Sequence, residues 1–106
     1  MIAEISVEEL RERWARGDDF VLLDVREPDE LQTAALPGAL AIPMSEIPAR
    51  LGEVRRDCDV VVMCHSGRRS ERVTAFLNAN GVPRAVNLAG GIDAWSVTID
   101  PAVARY

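Results

Sequence analysis

The sequence predicts an α/β fold built on about five mostly parallel strands with helices on both faces. Two observations carry that prediction. Short apolar runs alternate along the chain with stretches patterned for helices. Two of the runs, at 20–25 and 60–63, are almost continuously apolar, the mark of strands covered on both faces. With 106 residues, a single domain spanning 1–106 is expected. A chain of this size buries roughly 65% of its unfolded surface, enough for a core without disulfide or metal staples.

Taken in order, residues 3–5 form a short first strand. Ser6 stands three residues before Glu9, a capping-box spacing, and opens a helix that passes through Leu10 and Trp14 to a stop at Gly17. Phe20 to Val25 is the first central strand, and Pro28 begins a short helix. Leu36-Pro37-Gly38-Ala39 is a turn, followed by a strand over 39–42 that Pro43 closes. A short helix is expected over 45–51, with Pro48 in its first turn. Val60 to Met63 is the second central strand. The apolar positions Val73, Phe76 and Leu77 predict a helix over 70–80 ending at Gly81. Ala85 to Leu88 is the last strand, Gly90-Gly91 opens a final helix carrying Trp95, and residues 98–106 show no clear pattern. Trp14 and Trp95 are read as packing residues.

The formal net charge is -5, unevenly distributed. Residues 1–59 carry 14 carboxylates against 7 arginines, whereas residues 60–106 carry 3 against 5. Three of those five, Arg68, Arg69 and Arg72, flank a cysteine at position 64. An acidic chain with one local basic patch suits a small anionic substrate and no nucleic acid, which needs a broad basic surface. Every basic residue is arginine, which excludes Schiff-base lysine chemistry and a P-loop lysine. No apolar run approaches the roughly 20 residues of a membrane span, and no signal peptide, membrane partner or metal site is expected. The two cysteines, Cys58 and Cys64, bracket a strand that would hold their Cα atoms on the order of 20 Å apart. A disulfide needs less than about 7 Å, so two free thiols, a reducing compartment and hence the cytoplasm are expected. No extra apolar surface argues against a monomer. Cys58, between Asp57 and Asp59, is expected in a turn with its thiol pushed up by the two acids.

Cys64-His65-Ser66-Gly67-Arg68-Arg69-Ser70 sits where the second central strand ends and a helix begins. That junction turns backbone N–H groups and the positive end of a helix dipole into one small bowl. A thiol at its rim ionises more readily than a free cysteine. Gly67 allows the positive φ that lets the amides converge. Ser66 and Ser70 are placed to bond the loop or cap the helix. Arg69, five positions after Cys64, is placed to stabilise a thiolate, a persulfide or a bound oxyanion. The stretch predicts thiolate chemistry on an anion, with no cofactor. His65, the one histidine, is read as a loop side chain facing the substrate, with a general-base role as the alternative. Asp24 and Arg26, at the end of the first central strand, are read as supporting residues that form a structural ion pair with Glu30 or Arg69. Glu27 and Asp29 are read as solvated charges at a helix end.

With those residues in view, the chain resembles a single-domain rhodanese, a sulfurtransferase. The resemblance rests on Asp24-Val25-Arg26-Glu27-Pro28-Asp29-Glu30, on Leu36-Pro37-Gly38-Ala39 with Ile42-Pro43, on the loop from Cys64 to Ser70, and on Asn87-Leu88-Ala89-Gly90-Gly91-Ile92-Asp93-Ala94-Trp95. The resemblance implies a three-layer rhodanese-like fold. It further implies that Cys64 takes sulfane sulfur from a donor such as thiosulfate or a persulfide, holds it as a persulfide, and yields it to a thiophilic acceptor. Amides from His65 to Arg69 would steady the outer sulfur, and Arg68 and Arg69 would draw in the anionic donor. Phosphatases and arsenate reductases of this fold carry a loop one residue longer. Arg69 at the fifth position after Cys64 therefore matches the sulfur-type loop.

Where many rhodaneses have Gly-His before the turn, this chain has Ala34-Ala35-Leu36. In that feature, and in the tail Asp100-Pro101-Ala102-Val103-Ala104-Arg105-Tyr106, it is similar to rhodanese domains fused to E1-like adenylyltransferases. That similarity implies a second role, a persulfide-carrying module that delivers sulfur to a ubiquitin-like sulfur-carrier protein, with a thioredoxin-like protein as another acceptor. The tail either docks such a partner or packs on the domain.

Overall fold

The computed structural model describes residues 2–106. Five strands, β1 (Glu4–Ile5), β2 (Phe20–Asp24), β3 (Leu40–Ala41), β4 (Asp59–Met63) and β5 (Ala85–Leu88), form one sheet in the order β1-β5-β4-β2-β3, and every pairing is parallel. Four helices, α1 (Val7–Arg16), α2 (Pro28–Thr33), α3 (Arg68–Ala79) and α4 (Gly91–Thr98), connect or follow them.

Alternation along the strands divides the core between the two faces. Val60, Val62 and Leu23 face the side covered by Val73 and Leu77 of α3 and by Ile47 and Val54. Val61, Met63 and Leu22 face the side covered by Val7 and Leu10 of α1 and by Ile92 and Trp95 of α4. On that side Trp14 meets Trp95 edge to face, with ring centroids 5.2 Å apart.

The N-terminus of α1 follows its sequence signal in part. The Ser6 side chain accepts the Glu9 N–H at 3.2 Å, but the Glu9 carboxylate turns to Arg13, at 3.0 Å, instead of closing the capping box. Gly17, at φ 71°, ends α1 in the left-handed conformation that its sequence position predicts.

Two expectations need correction. The helix expected over 45–51 does not form; two 3₁₀ turns, Met44–Glu46 and Leu51–Glu53, stand in its place. The hydrogen bonds span three residues, Glu46 to Pro43 and Ile47 to Met44 before Pro48, Glu53 to Arg50 and Val54 to Leu51 after it. The chain tightens on either side of it, and Ile47 still reaches the core. The helix expected from Ser70 begins two residues earlier, at Arg68, with Gly67 as its N-cap at φ 103° and no side-chain cap. Neither Ser66 nor Ser70 caps it, and Ser70 is released for another use. Among the described residues no helix is long and apolar enough to cross a membrane.

Candidate active site

Three strands end together at the carboxyl edge of the sheet, because β4 lies between β2 and β5 and all run the same way. Register places Asp24 beside Met63, and Asn87 beside Val62. Cys64 comes directly after β4 and keeps the parity of Val60 and Val62, so its side chain falls on the α3 side of the sheet, in the same cluster as Val73.

Cys64 is 1% exposed. Its Sγ accepts the Gly67 N–H at 3.1 Å and lies 3.3 Å from Ser70 Oγ. Burial alone would push the thiol up. The Ser70 hydroxyl and the N–H groups of Ser70, Gly67 and Ser66 outweigh burial and hold it below its ordinary value. The other thiol, Cys58, is also buried and free, lies in an irregular stretch before β4, and is pushed up chiefly by burial, with Asp19 and Asp57 adding to it.

Of its two expected roles, Ser70 takes the first: it bonds the loop and does not cap the helix. Its hydroxyl has one proton and two acceptors, Sγ of Cys64 and Oδ1 of Asn87 at 2.5 Å. The Asn87 amide in turn donates to the Gly67 carbonyl at 3.3 Å and to Glu4 at 3.1 Å. Replacing Ser70 by alanine is expected to raise the Cys64 pKa, because a hydrogen bond that favours the thiolate is lost. The pH profile of iodoacetamide alkylation checks it, Cys58 being counted separately by peptide mapping.

The bowl faces inward because its carbonyls are tied down outside it. The Cys64 and His65 carbonyls accept the Ile92 and Asp93 N–H groups at the start of α4, each at 3.0 Å, and the Gly67 carbonyl accepts from Glu71 and Asn87. This close docking of α4 is possible only at Gly91, where φ is 60° and an added Cβ would overlap the Cys64 and His65 carbonyl oxygens. The glycine pair was visible as a helix start, but its contact with the cysteine loop was not.

Of the remaining expected residues, Ser66 and Arg68 are exposed on the loop. The His65 imidazole stacks on Tyr106, with centroids 4.2 Å apart and planes 19° apart, and its Nε2 lies 3.9 Å from Asp93. Among the described residues no hydrogen bond joins it to Cys64, which leaves the general-base alternative without a geometric basis. Asp24 and Arg26, both fully buried, pair with each other at 2.7 Å rather than with Glu30 or Arg69. Arg26 also donates to the carbonyls of Ala34 and Glu30, which pins the end of β2 to α2 and to the turn after it.

Arg69 corrects a further expectation. Both its terminal nitrogens bond the Glu30 carboxylate, at 2.6 and 2.9 Å, so its charge is already met. Glu30 is brought down to about 2 by Arg69 first, against burial, with help from the Glu27 N–H and the Tyr106 hydroxyl. Glu27 is exposed at the N-cap of α2, a charge at a helix end as expected, and its N–H donates to Glu30. The tail is not patternless in space. Ser96 ties the Val103 carbonyl, Arg105 pairs with Asp93 at 2.9 Å, and the Tyr106 hydroxyl accepts from Arg26 at 3.0 Å and donates to Glu30 at 2.8 Å. It packs on its own chain, at the rim of the cysteine loop.

Comparison with known proteins agrees with this arrangement. The family model for the rhodanese-like domain matches residues 6–98. A sulfurtransferase of Allochromatium vinosum is 44% identical over 96 residues, covering 91% of this chain and 90% of that protein. A probable adenylyltransferase/sulfurtransferase of Mycobacterium tuberculosis is 35% identical over 96% of this chain, which spans 26% of that longer protein. The crystal structure of a rhodanese-like domain protein from Staphylococcus aureus superposes with a TM-score of 0.86 at 30% identity, covering 99% of both chains. The parallel five-stranded sheet, the cysteine loop at its carboxyl edge and the match over residues 6–98 lead to one conclusion: the chain belongs to the rhodanese-like domain family.

Proposed function

We propose that the protein is a sulfurtransferase that carries sulfane sulfur on Cys64. One observation supports this above the others: a buried thiol held below its ordinary value by N–H groups and a hydroxyl, with no base hydrogen-bonded to it among the described residues. The Cys64 thiolate attacks the outer sulfur of thiosulfate, the S–S bond breaks, and sulfite leaves with the bonding pair. Sγ then bears a terminal sulfur with one negative charge. A persulfide donor reacts in the same way, with its thiolate as the leaving group. The amides that now face Sγ hold the charge of the terminal sulfur without reorganising, which is covalent catalysis assisted by preset dipoles. A thiophilic acceptor attacks the terminal sulfur and returns Cys64 as thiolate.

Incubation with thiosulfate, then intact-mass analysis under non-reducing conditions, is expected to show one added sulfur atom on Cys64, released as thiocyanate by cyanide. No added sulfur and no thiocyanate, with cysteine persulfide also failing to load Cys64, would overturn the proposal. A second reading is favoured by the similarity to the M. tuberculosis adenylyltransferase/sulfurtransferase. Here the acceptor is a ubiquitin-like sulfur-carrier protein, and the observation to seek is transfer of the Cys64 sulfur to such a carrier.

A further inference from the structure

We propose that Glu30, held in place by Tyr106, selects the sulfur donor: by neutralising Arg69 it turns the site toward the persulfide of an organic thiol and away from thiosulfate. The proposal rests on Cys64 being the sulfur carrier described above and concerns which donor loads it.

Three arginines near the loop are already paired. Arg69 gives two hydrogen bonds to Glu30, Arg26 is paired with Asp24, and Arg105 is paired with Asp93, the carboxylate beside His65. Three arginines that look cationic in the sequence therefore contribute no net formal charge. Arg68 and Arg72 are exposed, and neither has a carboxylate partner among the described residues. Glu30 cannot turn aside. One carboxylate oxygen accepts the Glu27 N–H and Arg69, and the other accepts Arg69 and the Tyr106 hydroxyl. Its carboxylate stays ionised at any working pH, since Arg69 holds it at about 2. Thiosulfate brings two negative charges to a rim where Arg69 is already committed to Glu30. The reacting group of an organic persulfide brings one at most.

The surfaces beside the loop point to the same donor class. The Tyr106 side of the rim is an aromatic shelf, with the ring stacked on His65 and 42% of the residue exposed. On another side a groove of about 340 Å³ adjoins Arg69 and is lined by Val25, Met44 and Pro48 together with Glu27 and Ser45. Thiosulfate has no organic part to rest on either surface, and the carbon skeleton of a small thiol does. In the loading step the Cys64 thiolate attacks the outer sulfur of R–S–SH. The S–S bond breaks, its electron pair leaves as R–S⁻, and the transferred sulfur keeps its proton on Sγ.

The test measures single-turnover loading of Cys64 by intact mass, with thiosulfate and with cysteine persulfide, at several salt concentrations. The wild-type protein is expected to load from cysteine persulfide at least tenfold faster. Glu30→Gln frees the Arg69 charge and is expected to raise the thiosulfate rate relative to the persulfide rate about tenfold, with a steeper fall in salt. Arg69→Gln leaves Glu30 unopposed and is expected to move the same ratio about tenfold the other way. A purely structural role would slow both donors alike and leave the ratio fixed. A ratio unchanged within twofold in both variants, with Cys64 still loading, overturns this proposal and leaves the carrier reading standing. If neither donor loads the wild-type protein, both fall.

Discussion

Cys64→Ser is expected to abolish sulfur loading, with transfer from any donor falling at least ~1000-fold, because the nucleophile itself is gone. The fold should survive the change. Serine is slightly smaller, and its hydroxyl inherits the partners of Sγ, the Gly67 N–H and the Ser70 hydroxyl. What it cannot inherit is ionisation. The surroundings that bring a thiol down from its ordinary range leave an alcohol far above neutrality, and oxygen forms no stable analogue of a persulfide. Cys58 does not take over, since burial pushes its thiol up where hydrogen bonds hold that of Cys64 down. Intact-mass analysis after thiosulfate or persulfide treatment should show no added sulfur, while the melting temperature moves by only a few degrees. Persistent loading in the variant would place the carrier elsewhere.

Gly91→Ala should be the most damaging small substitution in the chain, although it touches no reacting atom. The new Cβ would overlap the carbonyl oxygens of both Cys64 and His65. Those carbonyls are the two that the start of α4 ties down. Either α4 withdraws, which frees the carbonyls to turn toward the bowl, or the loop shifts and the N–H groups leave Sγ. Forced overlap in a packed site and a positive φ on alanine together cost about 3 kcal/mol or more, on the order of 15 °C in melting temperature for a chain of this size. Gly38 is the control. Its φ is 76° but nothing lies within 4 Å of an added Cβ, so alanine there should cost only the backbone term, about 1 kcal/mol. Thermal unfolding checks the stability difference. Alkylation of Cys64 checks the site, with the Gly91→Ala thiol expected to react only at higher pH than the wild type.

The order of strands and helices was legible because it depends on local information. Ser6 and Gly17 bound α1 as their types predict, and the apolar runs at 20–25 and 60–63 became the two central strands. The expected helix around Pro48 gave way to two tight turns whose hydrogen bonds span three residues rather than four. Ser70 was expected either to bond the loop or to cap the helix, and local pattern could not choose between the two. The chain turned at Gly67 and left Ser70 inside the first turn, pointing at Sγ. Of the arginines grouped by sequence around Cys64, Arg69 proved to be neutralised by a carboxylate 39 residues away.

The sequence by itself determined the candidate nucleophile, the strand-to-helix junction that presents it and the spacing of its loop, because these lie within seven consecutive residues from Cys64 to Ser70. Tertiary structure alone decided the electrostatics around that loop. Glu30 reaches Arg69 because β2 and β4 are neighbours in a parallel sheet, so the segments leaving the two strands meet at the same edge. Asn87 reaches Ser70, and α4 reaches the Cys64 and His65 carbonyls, because β5 lies on the other side of β4. Tyr106 reaches Glu30 only because the tail folds back past α4. Charge and hydrogen-bond partners are properties of spatial neighbours, and strand order, which no local pattern encodes, chooses those neighbours.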